Sequence, residues 1–364
     1  MDFPKPQFNR PTSRASKAEI QQQLNLPHVY RMSFNESAFG PSPKVVAALQ
    51  AAASQIGDYP DFGDEVLRNT LAEVWGRGLT PDHFFTGSSG FDTVELVTRA
   101  FLQPGDEVLI SPPTFGIYAK LAAQEKATAV SVPLRQPSFT PDIDGLLTAV
   151  TERTRLLILC NPNNPTGTIM PAADMEQLVN NLPDHVTIVA DEVYRHFVTD
   201  PDYPDTLAYI SAGKPIIMIQ SFSKAYGMAG MRLGYAIAPP VIANYVAGFM
   251  RGFHHNHLAL VAGVTALRDH DHLQKNIDAA LTGKAYLMAQ FDRLGLAYLP
   301  SQTNFIVVKL PASHSAAAVA DALLPFGVMV RPLKDEGLEN CLRVSVSTQA
   351  GNEQFIRGLE TIIG

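Results

Sequence analysis

Between about residues 85 and 240 short aliphatic runs alternate with stretches that carry apolar residues at helical spacing. VLIS (108–111), AVSV (129–132), LLILC (156–160), VTIVA (186–190), IIMIQ (216–220) and LGYAIA (233–238) are apolar almost throughout, not at every second position. A strand with one face in water alternates, whereas a strand covered on both faces does not. The runs therefore predict a mostly parallel sheet sandwiched by helices, an α/β fold. FDTVELVTRAF (91–101) and ADMEQLVNNL (173–182) supply helices between strands, and 41–56 and 63–78 read as two more upstream.

Beyond Pro239 and Pro240 the rhythm changes. A long helical stretch leads to strand TNFIVVKL (303–310), helix SAAAVADALL (315–324), strands VMVRPL (328–333) and CLRVSVST (341–348), and helix NEQFIRGLETII (352–363). A chain of 364 residues exceeds the usual span of one core. The expected division is a large domain at 41–248 and a smaller C-terminal α/β domain at 249–364. Residues 1–40 then form an N-terminal arm and part of the small domain.

Charge and cysteine usage remove several classes of partner. The net charge is −7 with no run of Lys or Arg, which gives no footprint for nucleic acid or an anionic membrane. There is no apolar stretch of the roughly 18 residues that a membrane helix needs, and the first 30 residues lack the apolar core of a signal peptide. Cys160 and Cys341 are the only cysteines and lie far apart, so neither a disulfide framework nor a metal site is expected. A reducing cytoplasm fits.

In an open parallel sheet, ligands bind beyond the carboxyl ends of the strands. LLILC runs into NPNNPTG (161–167), VTIVA into Asp191 of DEVYRHF, and IIMIQ into Ser221, Ser223 and Lys224. Parallel strands would bring Asn164, Asp191, Tyr194 and Lys224 into one crevice. A lysine at such a strand end fits a Schiff-base nucleophile, or a base beside a serine, because Ser221 and Lys224 also spell S-x-x-K. The companion strings S-D-N and K-T-G are absent, as are the glycine fingerprints of nicotinamide enzymes and nucleotide hydrolases.

Taken singly, each element has a plain reading: a turn at GSSG, a helix cap at Asp191, a tight loop at NPNNPTG, a solvated Lys224. Together they match what pyridoxal phosphate requires of a protein: a lysine for the aldehyde, a carboxylate for the pyridine nitrogen and hydrogen bonds to the ring oxygen. GSSGFD (87–92), at the start of a predicted helix, offers backbone N–H groups to a phosphate. Ser221, Ser223 and Arg232 can complete that cradle.

With these residues assembled, the chain resembles the fold-type I pyridoxal phosphate enzymes, and within them the histidinol-phosphate aminotransferase branch. The similarity runs from about residue 20 to the end through NESAFGPSP (35–43), YPD (59–61), PPTFGIY (112–118), NPNNPTG, DEVYRHF, SFSKAYGMAGMRLGY (221–235), TNF (303–305) and LRVSVST (342–348). The resemblance implies that Lys224 carries the cofactor and shuttles the proton between substrate Cα and cofactor. It implies that Asp191 pairs with the pyridine nitrogen, that Asn164 and Tyr194 bond the ring oxygen, and that Phe115 stacks on the ring. Backbone amides at Gly90 and Phe91, with Ser221, Ser223 and Arg232, would hold the phosphate, and Tyr59 would reach it from the neighbouring subunit of a homodimer. Arg343 would grip the substrate α-carboxylate, and Arg331 would take a second anionic group near the substrate's far end.

The reaction implied moves an amino group from an amino acid to a 2-oxo acid in two half-reactions. A related alternative is decarboxylation of an amino-acid phosphate. A cofactor-binding regulator would need a DNA-binding module, for which the residues ahead of NESAFGPSP leave no room. Two stretches depart from the branch's pattern. RPTSRAS (10–16) has no tyrosine where the branch carries Tyr-x-Pro-Gly, and FHHNHLAL (253–260) stands where an Asn-x-Asn usually follows a phenylalanine. His254, His255 and His257 are either partly exposed helix residues or part of the substrate pocket, with Arg251. The departures suggest a paralogue acting on another amino acid.

Overall fold

The computed structural model describes residues 16–60 and 63–364. Residues 10–15 of RPTSRAS and Asp61 of YPD lie outside the described residues. The strands are β1 (Tyr30–Arg31), β2 (Phe84–Gly87), β3 (Glu107–Ile110), β4 (Thr128–Ser131), β5 (Thr154–Cys160), β6 (Thr187–Asp191), β7 (Ile216–Ser221), β8 (Gly234–Ile237), β9 (Phe305–Lys309), β10 (Val328–Met329), β11 (Arg331–Pro332) and β12 (Cys341–Ser345). The helices up to the third strand are α1 (Lys17–Gln23), α2 (Pro43–Ala52), α3 (Glu65–Trp75) and α4 (Gly90–Phe101). They continue with α5 (Ile117–Gln124), α6 (Ile143–Ala149), α7 (Ala172–Asn181), α8 (Thr206–Ser211) and α9 (Pro240–Ala247). The last four are α10 (His257–Leu267), α11 (His270–Arg293), α12 (Ala316–Ala322) and α13 (Gln349–Ile363).

Among the described residues, β2-β8-β7-β6-β5-β3-β4 form a seven-stranded sheet in that order. All neighbours are parallel except at β8, which runs antiparallel to both β2 and β7. The reason is the connection: a parallel crossover needs a dozen or more residues, usually with a helix. Residues 222–233 between β7 and β8 hold only a 3₁₀ turn, Ala229–Met231, and bring the chain straight back.

Strand β5 shows why the apolar runs are continuous. Leu157 and Leu159 enter one core with Ile188, Ala190 and Met218, while Leu156 and Ile158 enter a second with Val189, Ile217 and Ile219. Each of these Leu, Ile, Val and Met side chains contributes about 1.5–3 kcal/mol through burial. α10 joins the first core through Ala259, Ala262 and Leu267, against Leu67 and Leu71 of α3.

A third core lies under the sheet β11-β12-β9, where Ile306, Val308, Leu342 and Val344 meet Leu287 and Phe291 of α11 and Phe355 and Leu359 of α13. VMVRPL, expected as one strand, is divided. Its first half, β10, pairs with β1, and its second half, β11, pairs with β12. The switch of sheet at Val330 sets Arg331 opposite Arg343. Among the described residues no helix is long and apolar enough to cross a membrane, and no group of three or more His, Cys, Asp or Glu is placed to hold a metal.

Candidate active site

Strand register decides which side chains meet. Cys160, the last residue of β5, pairs with Asp191, the last of β6, and Asp191 pairs in turn with Ile219 of β7, two residues before Ser221. Ser221 pairs with Gly234, which also pairs with Gly87 at the end of β2. NPNNPTG, DEVYRHF, SFSK and GSSG therefore open onto one cavity of about 1140 Å³, lined by Gly90, Phe91, Phe115, Asn164, Asp191, Tyr194, Ser221, Ser223, Lys224, Arg232, Arg331 and Arg343.

The Lys224 Nζ donates to the backbone carbonyls of Asn35 (3.2 Å) and Phe34 (3.4 Å) and lies 5.3 Å from the centre of the Tyr194 ring. Burial, then the positive charge of Arg343, pulls its pKa down to about 8. Asp191 is buried, and burial raises its carboxyl pKa. Its Oδ2 accepts a hydrogen bond from the Tyr118 hydroxyl at 2.6 Å, which opposes that rise. Its Oδ1 accepts only a long 3.4 Å bond from the Val193 N–H, so that oxygen retains capacity for another donor.

The cradle beside them is built by close backbone approach. A Cβ on Gly234 would sit 2.4 Å from the Gly90 nitrogen, so only glycine lets β8 pass the start of α4. A Cβ on Gly90 would press on Val193 and Ser221 at 3.2–3.3 Å. Ser89 caps α4 by accepting from the Asp92 N–H at 3.0 Å. Helix geometry leaves the N–H groups of Gly90 and Phe91 without intrahelical acceptors, at the positive end of the helix dipole. Arg232 adopts a left-handed conformation with φ of 55°, sparsely populated for a residue with a side chain.

The other wall comes from the three-stranded sheet. Arg343 Nη1 donates to Asn164 Oδ1 at 2.6 Å and Nη2 to the Ser33 carbonyl at 2.8 Å, while its buried Nε has no partner. The Arg343 guanidinium lies 5.4 Å from the centre of the Phe305 ring. Arg331 instead donates to Glu336 Oε1 at 2.9 Å.

Residues 27–359 match the family described as aminotransferase class I and II. The chain belongs to that family. It is 38% identical over 346 residues to histidinol-phosphate aminotransferases of Moorella thermoacetica, covering 95% of this chain and 88% of that one, and of Symbiobacterium thermophilum, covering 95% and 94%. Among solved structures, the histidinol-phosphate aminotransferase from Sinorhizobium meliloti in complex with pyridoxal-5'-phosphate matches with a TM-score of 0.87 at 28% identity, covering 97% of this chain and 95% of that one. A Thermus thermophilus aspartate aminotransferase tetra mutant matches with a TM-score of 0.80 at 25% identity, covering 92% and 95%. The fold is thus that of the fold-type I aminotransferases.

In this aminotransferase Tyr59 does not line the cavity. It is 81% exposed and packs against Phe253, ring centres 4.7 Å apart. The histidines stand behind the cradle, not in the cavity. His254 Nε2 meets Asp92 Oδ2 at 2.8 Å, and His255 Nε2 meets Thr86 Oγ1 at 2.7 Å. His257, at the first turn of α10, meets Gln55 at 2.9 Å. Burial pulls the His255 pKa down to about 4.

Sequence reasoning overlooked Asn35 and Tyr118. Asn35 donates its side-chain N–H to the Tyr194 hydroxyl (3.0 Å), its backbone N–H to Ser345 Oγ (2.9 Å), and offers its carbonyl to Lys224 and Asn304. It does so from a left-handed conformation, φ 56°, that asparagine tolerates better than most residues. Both residues lie within stretches that carry the resemblance, yet a buried orienting role leaves no local pattern.

Proposed function

We propose that this aminotransferase holds pyridoxal phosphate in the cavity at the strand ends and transfers an amino group between an amino acid and a 2-oxo acid. The observation that carries the reading is the meeting of the Lys224 amine and the Asp191 carboxylate in one cavity, from the ends of adjacent strands β7 and β6. The donor set fits the group. Asp191 Oδ1 has capacity for a ring N–H, and the phosphate suits the first turn of α4, the hydroxyls of Ser221 and Ser223, and Arg232. Asn164, bonded by Arg343, and Tyr194, whose ring centre lies 5.3 Å from the Lys224 Nζ, would bond the ring oxygen, and Phe115 would cover the ring.

When bound, the cofactor supplies a protonated ring that accepts the electron pair released at the substrate Cα. Asp191 would hold a proton on the ring nitrogen, and Tyr118, by donating to Asp191, favours its ionised form against the effect of burial. Lys224 would hold the cofactor through its amine and would remove and return the substrate Cα proton at Nζ. With a pKa of about 8 rather than 10.5, roughly a tenth of that amine is neutral at pH 7, as base catalysis requires. Arg343 binds and orients the α-carboxylate in a fork that lysine would not reproduce.

The assembly we propose is a homodimer. Support comes from Tyr59, exposed and outside its own cavity, with Ile56 and Val66 also exposed nearby in the chain. A second copy would bring Tyr59 to the phosphate. A cytoplasmic setting accords with two free cysteines.

The test is the visible spectrum of purified protein loaded with the cofactor, before and after addition of amino acids, with product analysis. Loss of the imine band together with a 2-oxo acid product is expected. Carbon dioxide without any oxo acid would exclude amino transfer.

A further inference from the structure

Arg331 and Arg343 face each other across β11 and β12, both reaching the cavity. Like charges directly opposite on antiparallel strands repel, so each needs an anion. The two are provided for differently. Arg343 has only neutral acceptors, Asn164 and the Ser33 carbonyl, and a buried Nε with no partner. Its charge is uncompensated and one donor is spare. Arg331 already has a carboxylate: Glu336, five residues on in the same turn, bonds it at 2.9 Å, and the pair is only about a quarter exposed. The second carboxylate oxygen of Glu336, Oε2, is buried and accepts from nothing. Asp335 beside it also lines the cavity.

We infer that Glu336 is a specificity residue: by cancelling Arg331 it leaves this wall with one free guanidinium, which suits amino donors bearing a single carboxylate and disfavours those bearing a phosphate ester or a second carboxylate. The charges felt at Arg343 agree, since Arg331 and Glu336 act on it in opposite directions. Lys120, which also lines the cavity, belongs to α5 of the seven-stranded unit and not to this wall. A doubly charged anion at the wall would have to displace Glu336 from Arg331 and would meet an unpaired carboxylate oxygen close by. A monocarboxylate needs only Arg343.

This inference rests on the transfer reading above, and the experiment separates the two. Holoenzyme and its Glu336→Gln variant are compared by kcat/KM with histidine and histidinol phosphate, which share a side chain and differ in carrying a carboxylate or a phosphate ester. Phenylalanine and glutamate form a second such comparison, of one carboxylate with two. The wild type is expected to favour the monocarboxylate of each pair. Glu336→Gln, with Arg331 released, is expected to move the ratio at least tenfold towards histidinol phosphate and glutamate. As a reading independent of turnover, maleate titrated into the holoenzyme and followed by the cofactor band should bind at least tenfold more tightly to the variant. A merely structural role for Glu336 would lower all donors together and leave the ratios alone. Unchanged ratios in the variant, or a wild type that favours histidinol phosphate, would overturn the inference. Failure of every donor to change the cofactor band in either protein would instead overturn the transfer reading, and this inference with it.

Discussion

The two halves of the cavity are built on different logic. The floor, at the carboxyl ends of β5, β6 and β7, is assembled by a rigid parallel sheet whose register pairs Cys160 with Asp191 and Asp191 with Ile219, two residues before Ser221. The wall, from β11 and β12, is assembled by hydrogen bonds between distant parts of the chain: Asn35 and Ser345, 310 residues apart, bond each other twice. On the proposed reading the floor would supply covalent and electronic chemistry from fixed positions, and the wall, a small sheet over a separate core, would recognise the substrate. Substitutions in the floor should therefore lower kcat, and substitutions in the wall should act on kcat/KM and on choice of donor.

Lys224→Ala breaks the floor most completely. The link to the cofactor disappears from the visible spectrum, and turnover falls about a thousandfold or more, since nucleophile and proton shuttle are lost together. Asp191→Asn comes next, with kcat lower by about 10²–10³ as the preorganised charge is removed. The imine band should persist in this variant, because Lys224 is intact. Arg343→Lys tests the wall: kcat/KM for amino acids is expected to fall about ten- to a hundredfold through loss of the charge-assisted fork, with the cofactor band unaltered.

Tyr118→Phe sharpens the distinction within the floor. It removes the hydrogen bond that holds the Asp191 carboxyl down, so the acid limb of the kcat profile should move to higher pH. Leaving a buried carboxylate oxygen without its donor should also cost about 1–3 kcal/mol of stability, read by denaturant unfolding. The smallest effect is expected from His254→Gln, behind the cradle. Its pairing with Asp92 is partly exposed, so a stability change of no more than about 1 kcal/mol is expected, with at most a few-fold change in cofactor affinity.

The same contrast explains what could be read from the sequence. The floor was legible because each of its motifs directly follows an apolar run, and parallel strands carry such residues to one edge. The strand FFTG, β2, gave no comparable signal, being four residues with a threonine and a glycine, yet it delivers the cradle. The close passage of Gly234 beside Gly90 depends on residues far apart in the chain, and no local spacing encodes it. The wall was legible only as isolated arginines. Neither the split of VMVRPL between two sheets nor the pairing of Arg331 with Glu336 follows from periodicity, because both depend on which sheet edge each half meets.

The most direct test is to reduce the holoenzyme with borohydride, digest it and locate the pyridoxyl group by mass spectrometry. The account predicts the added mass on the peptide that contains Lys224 and on no other. Its appearance on Lys120, which shares the cavity, or on Lys284, which is buried elsewhere, would contradict the claim that the end of β7 carries the chemistry.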